Sequence, residues 1–270
     1  MNKQQRHIDK LVKRLISKGI RYYHRFNENG YEKAIEKFSK AIELDPSNAN
    51  VYKYRGDVNM IIEPDQAIRD FTKAIELKPN YINAYESRAI LYQFSYDNKQ
   101  QEAISDYTTI LSYDKDYFTS YCHRSQIYSK LKQYNLSISD YTKAIALRPV
   151  CYRLYILRGQ DYCKILQYDK AIEDFMVAIT SNKWYEKADG YRSIAKVYSK
   201  LKDYNKSVEF YTKAIEILSD ESYYDILIKC YKQRSEAYLQ LGENEKANMD
   251  LKLLTEAELK QKEMEEIIPF

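Results

Sequence analysis

The sequence predicts an all-α fold, a right-handed superhelical solenoid of helix-turn-helix repeats, and three observations carry that prediction. The segment Ala67 to Pro79, AIRDFTKAIELKP, is rewritten six more times, starting at Ala34, Ala103, Ser137, Ala171, Ser207 and, in its most divergent form, Ala247. Successive starts lie 33, 36, 34, 34, 36 and 40 residues apart, a period that accommodates two helices and two turns per unit. Only 6 Gly and 5 Pro interrupt 270 residues that include 29 Tyr, a composition of helices packed through aromatic rings rather than of loops.

Taken in order, Ile8, Leu11, Val12, Leu15, Ile16 and Ile20 recur at the spacing of one helical face, which places a first helix over about His7 to Phe26. Asn27 to Gly30 supply a turn, and Tyr31 to Leu44 bring Ala34, Phe38, Ala41 and Ile42 onto one face of a second helix. Pro46 stops it, because proline has no amide hydrogen to donate and biases Asp45 away from helix. Small residues such as Gly56, Ala67 and Ala74 let helices approach, while Tyr52 and Phe71 fill the space around them.

Ala34 and Ala41 with Phe38 between them and Pro46 closing the unit resemble the second helix of a tetratricopeptide repeat. The first-helix half of that pattern, an aromatic, a small residue four later and an aromatic three further on, is met by Tyr85, Ala89 and Tyr92 and by Tyr121, Ser125 and Tyr128. It recurs as Tyr155, Gly159 and Tyr162, then Tyr191, Ala195 and Tyr198, then Tyr231, Ser235 and Tyr238; the second unit has Tyr52 and Gly56 but Asn59 in the last place. The resemblance covers almost the whole chain. It implies one repeat array over 1–270, with units at about 8–47, 48–80, 81–116, 117–150, 151–184, 185–220 and 221–254, and a Lys- and Glu-rich capping segment at 255–270.

Departures from the period mark local adjustments. The third unit has two extra residues between its helices, around Phe94 to Gln101, and the connection between Ala178 and Tyr191 is two residues longer than elsewhere and holds Trp184, read as local packing. Extra residues before Tyr231 lengthen a first helix over Tyr223 to Leu241. An Arg just before the small first-helix residue is matched by an Asp just before the second-helix aromatic: Arg55 and Asp70, Arg88 and Asp106, Arg124 and Asp140, Arg158 and Asp174, Arg234 and Asp250. The sixth unit has Ile194 and Phe210 instead, and the first has Lys18 and Lys37. This joint loss predicts ion pairs formed within units.

Charge is nearly balanced, 43 basic against 39 acidic residues, so any electrostatic function comes from local arrangement. Cys122, Cys151, Cys163 and Cys230 have no CxxC spacing, which points to reduced thiols in a cytoplasmic protein and to no metal or other cofactor. No signal-peptide core and no long uncharged run is present, so no membrane partner is expected. His7, His24 and His123 fall in different units with no phosphate loop or nucleophile motif, which argues against an enzyme; Cys122 and His123 are adjacent and point about 100° apart on a helix.

The resemblance implies a non-enzymatic protein–protein interaction scaffold holding a peptide segment or partner protein in its concave groove. One well-known mode of the family clamps a chaperone's terminal carboxylate with Lys and Asn; the matching places here hold Ile16 and Ile20, Tyr54, and Thr119 and His123, so that clamp is not carried. In the family's geometry the groove-facing places read Lys53, Asp57 and Ile61, then Glu86, Ile90 and Phe94, then Cys122, Gln126 and Lys130. They continue as Ile156, Gln160 and Lys164, then Arg192, Lys196 and Lys200, then Lys232, Glu236 and Gln240. The expected peptide-binding residues are therefore Lys53, Lys130, Lys164, Arg192, Lys196, Lys200 and Lys232, with Arg192, Lys196 and Lys200 at the centre and an acidic segment as the complementary partner. A self-associating assembly subunit is the alternative and an RNA-binding helical repeat the third reading; oligomeric state is left open.

Overall fold

The computed structural model describes residues 3–218 and 223–267. The expected unit boundary near 220 and the last residues of the capping segment, 268–270, lie outside the described residues. Among the described residues fourteen α-helices follow one another in consecutive pairs, with no strand. By contacts the chain divides into two compact units, Met1–Ile127 and Tyr128–Phe270.

The first unit contains α1 (Lys3–Tyr23), α2 (Glu28–Leu44), α3 (Ala49–Ile62), α4 (Pro64–Leu77), α5 (Ile82–Ser95), α6 (Gln100–Tyr113) and the start of α7 (Phe118–Lys130). α1 ends at Tyr23 rather than Phe26 because Phe26 adopts φ 49. α2 begins earlier than its apolar stripe, at Glu28, because the Asn27 side chain accepts a hydrogen bond from the Gly30 amide at 2.8 Å and caps the first turn. Gly30 permits that turn to lie under α1, since a Cβ there would sit 2.7 Å from the Tyr22 carbonyl oxygen. Pro64 opens α4, where a missing amide hydrogen costs nothing.

Interdigitation of small and aromatic residues holds the pairs together. A Cβ on Gly19 would meet the Phe38 ring at 2.5 Å, and one on Gly56 the Phe71 ring at 2.6 Å. Ala67, Phe71 and Ala74 are fully buried, and burying a ring such as Phe71 contributes about 1.5–3 kcal/mol.

The second unit contains the rest of α7, then α8 (Tyr134–Leu147), α9 (Tyr152–Lys164), α10 (Tyr168–Ala178), α11 (Trp184–Lys200), α12 (Tyr204–Leu218), α13 (Tyr224–Gln240) and α14 (Asn244–Ile267). Four of its turns share one device. Lys132, Leu166, Lys202 and Gly242 adopt φ 60, 62, 61 and 76, and the next amide returns to a carbonyl of the preceding helix, as Gln167 does to Tyr162 at 2.9 Å. Only Gly242 takes that conformation without a Cβ penalty. Gly159 packs on Phe175 as Gly56 does on Phe71. The longer first helix expected before Tyr231 is α13, and Trp184 packs locally, its ring centroid 4.4 Å from that of Tyr223.

Four of the expected Arg–Asp pairs have both partners in the same compact unit, two in the first and two in the second, and all four form. Arg55–Asp70, Arg88–Asp106 and Arg158–Asp174 close at 2.7 Å and Arg234–Asp250 at 2.6 Å, each two-pronged through Nε and Nη2. The third guanidinium nitrogen adds a contact the sequence reading missed. Nη1 of Arg55, Arg88, Arg158 and Arg234 donates to the hydroxyl of Ser39, Thr72, Thr142 and Thr212 on the second helix of the preceding pair, at 3.1, 2.8, 2.9 and 2.8 Å. Each arginine thus joins its own pair to the one before it. In the sixth pair the same three places hold Met176, fully buried Ile194, and Phe210 stacked on Tyr198 at 5.6 Å.

Candidate functional site

The site is built on α9 and α11, with α13 beside them, all in the second unit. Just over two turns of α11 project Arg192, Lys196 and Lys200 from a single face, because residues four apart stack along a helix. Beneath them Ser193, Ile194, Ala195 and Val197 are buried and fix the helix in place. Between α9 and α11 lies a recess of about 250 Å³ with Cys163, Phe175 and Val197 at its base and Gln160, Lys164, Arg192, Lys196 and Lys200 around it. A second, larger recess of about 690 Å³ opens toward α13 and is lined by Lys196, Lys200, Tyr204, Tyr211, Gln233, Glu236 and Gln240. Lys196 and Lys200 belong to both, so they form a basic ridge with a hollow on either side.

The ridge is anchored from below. Asp189 accepts from Arg192 at 2.7 Å and from Arg153 at 2.9 Å, which holds the Arg192 side chain in one orientation. The Arg192 Nε is buried without a hydrogen-bond partner. Burial pulls the Lys196 ammonium below the ordinary lysine value, and the positive charge of Arg192 adds to the effect. Both features leave an unmet demand for negative charge, since a desolvated cation is stabilised by any carboxylate that reaches it. Burial also pushes the Cys230 thiol beneath this helix up to about 11, so it stays protonated and unreactive at neutral pH.

Of the seven expected binding residues, the structure gathers Lys164, Arg192, Lys196 and Lys200 around one recess. Lys232 is exposed and lines neither hollow. Lys53 lies in the first unit, where it pairs with Asp57 at 2.7 Å. Lys130 is exposed at the end of α7. Among the other groove-facing places, Ile156 is fully buried with Ile194 and Val197 and belongs to the core. The sequence reading missed Tyr211, whose buried ring delivers its hydroxyl to Gln233 at 3.1 Å in the second hollow. A signal was present, because Tyr211 stands where three other units carry Phe, and a buried phenol needs a partner for its hydroxyl.

In the first unit the corresponding places are differently used. Glu86 accepts from the Tyr117 hydroxyl at 2.7 Å, and the His123 ring lies parallel to Tyr107 with centroids 5.6 Å apart. Burial lowers the His123 pKa, so the imidazole is a neutral packing element at physiological pH.

Comparison with known families supports the pattern that these helices follow. A family model described as TPR repeat matches residues 25–60, and one described as Tetratricopeptide repeat matches 118–151 and 188–217. The chain thus contains tetratricopeptide repeats. Among solved structures, the C-terminal part of a TPR repeat-containing protein from Cytophaga hutchinsonii is similar over 98% of this chain and 99% of its own, at 19% identity and TM-score 0.71. A tetratricopeptide repeat protein from Parabacteroides merdae is similar over 92% of this chain and 93% of its own, at 19% identity and TM-score 0.62. YrrB, described as a TPR protein with an unusual peptide-binding site, is similar over 69% of this chain and 95% of its own, at 21% identity and TM-score 0.59. Identities this low speak for the fold. No curated protein matches the chain in sequence. Among the described residues, no helix is long and apolar enough to cross a membrane.

Proposed function

We propose that this tetratricopeptide repeat protein is a protein-binding scaffold whose second unit holds an acidic segment of a partner along the α11 ridge. The observation that carries the reading is the convergence of Lys164, Arg192, Lys196 and Lys200 on one hollow with an apolar base. A carboxylate can meet the ridge while an apolar side chain next to it enters between Phe175 and Val197. A peptide-binding site is also named in the description of YrrB, which has the same fold.

Synthetic peptides of about ten residues, pairing Asp or Glu with one large apolar residue, test this by fluorescence anisotropy. The variant Arg192→Glu, Lys196→Glu and Lys200→Glu is expected to weaken binding more than tenfold, mostly through desolvated charge contacts, with helicity and melting nearly unchanged. Binding should also fade as pH rises through the depressed Lys196 range, below that of an ordinary lysine. Undiminished binding by the triple variant would place the site elsewhere.

A further inference from the structure

The strongest unassigned feature lies in the first unit, on the outward side of α1. Residues 3–25 hold Lys3, Arg6, Lys10, Lys13, Arg14, Lys18, Arg21 and Arg25 against the single acid Asp9. A chain of net charge +4 therefore carries +7 in this segment and −3 everywhere else. All eight cations are exposed, and none has an acidic partner among the described residues. Lys3, Lys10, Arg14 and Arg21 fall on one line along the helix, which from end to end is about 27 Å.

The same face is used differently in the other first helices. Gly19 packs on Phe38 as Gly56 packs on Phe71, so Arg14 and Arg21 correspond to Val51 and Val58 of α3, which are fully buried. The corresponding places are buried in every other first helix as well, Leu154 and Asp161 in α9 among them. A face that only had to stay in water could mix signs, as α14 does with four exposed glutamates and four exposed lysines among its described side chains. Every exposed charge of α1 is positive, its single acid Asp9 being half-buried.

At its end this stripe meets aromatic rings. Phe26 is 70% exposed, and its centroid lies 6.0 Å from His24 and 6.3 Å from Tyr23. Arg25 lies over the Tyr22 ring at 4.7 Å. A row of cations one to two turns apart, ending in exposed planar groups, provides phosphate contacts along a strand and a platform for a base. We propose that the outward face of α1 binds single-stranded nucleic acid, with the phosphate backbone along Lys3, Lys10, Arg14 and Arg21 and a base against Phe26 and His24.

Other occupants fit this face less well. A protein partner needs an apolar centre, and within α1 Leu11, at 37%, is the one exposed large apolar side chain among the described residues. Insertion into a lipid surface needs a free apolar face, but Ile8, Val12, Leu15, Ile16 and Ile20 are packed with Phe38 and Ala41 of α2. A second copy stacking α14 on α1 in the register of the repeats would set Lys252 against Lys18, at the places where a hydroxyl and an arginine meet in other pairs.

Fluorescence anisotropy with labelled single-stranded RNA and DNA of about 15 nucleotides and the full chain tests the proposal, and the two probes separate the sugar chemistries. Binding is expected at low salt, with log affinity falling against log salt at a slope of about −4 if six phosphates are neutralised. Lys10→Glu, Arg14→Glu and Arg21→Glu together should weaken it at least tenfold and flatten the slope by about 2; Phe26→Ala should weaken it about tenfold without changing the slope. A milder variant with Gln at the same three positions, checked by circular dichroism, guards against misfolding and should show the same loss. Arg192→Glu, Lys196→Glu and Lys200→Glu should leave oligonucleotide binding intact. No binding at low salt, equal binding by the α1 variants, loss through the α11 variant instead, or α1-dependent capture of phosphatidylcholine–phosphatidylserine vesicles without oligonucleotide binding would each overturn it.

Discussion

The third and sixth helix pairs solve one packing problem by opposite chemistry. In the third, Arg88 on α5 closes on Asp106 of α6 and reaches back to Thr72 of α4. In the sixth, Ile194, Phe210 and Met176 occupy those three places, and Ile194 packs with Ile156, Phe175 and Val197. The polar version is not cheap. Burial pushes the Asp106 and Asp174 carboxyls up even with a guanidinium beside them, which means that desolvation offsets much of the attraction. What the charged version adds is direction, because a guanidinium fork accepts one alignment of its own pair and of the pair before it. The sixth pair lacks that key inside and carries its cations outside, as Arg192, Lys196 and Lys200 on the groove face of α11.

Transplanting the key should have the largest effect. Ile194→Arg alone buries a charge against Phe210 and removes core packing, at a cost of about 5 kcal/mol in urea unfolding. Adding Phe210→Asp and Met176→Thr should restore most of it. Equal losses in the single and triple variants would show that the three places do not act together. Removing the key comes next. Arg88→Met strands Asp106 and should cost about 3 kcal/mol, whereas Arg88→Met with Asp106→Leu should come within about 1 kcal/mol of the parent; a double variant as unstable as the single one would sink the desolvation argument.

The smallest effect concerns a buried carboxylate without an arginine. Asp161 is held by the hydroxyls of Ser129 at 2.6 Å and Ser137 at 2.5 Å, and burial raises its pKa despite them. A carboxyl whose folded-state value lies above its unfolded one favours the folded state at acid pH, and that contribution is lost as pH rises through the folded value. Asp161→Asn should therefore stabilise by on the order of 1 kcal/mol at neutral pH and by almost nothing below the ordinary carboxylate range. A gain of equal size at both pH values would exclude titration as its source.

Much of this was legible beforehand, for reasons that differ by residue. Gly56 and Phe71, or Arg88 and Asp106, are visible because each partner sits at a fixed offset inside one unit, so the repeat writes the pair several times. Thr72 follows Phe71 at an equally fixed offset but serves an arginine in the next pair, and reading units one at a time hides that link. Lys53 and Arg192 occupy equivalent places, yet one pairs along its helix with Asp57 and the other with Asp189, its Nε buried without a hydrogen-bond partner.

The sequence by itself determined the elements of this protein: a period near 34, small residues four from an aromatic, and scarce glycine and proline leave paired helices as the way to bury the apolar faces. It also determined where positive charge accumulates, since residues 3–25 and the α11 face are basic whatever their surroundings. Only the tertiary structure decided what each of those charges meets. Burial, neighbouring charge and hydrogen-bond partners depend on residues far apart in the chain, and these separate the core place of Ile156 from the ridge of Lys196 and leave the cations of α1 facing solvent without a counter-charge.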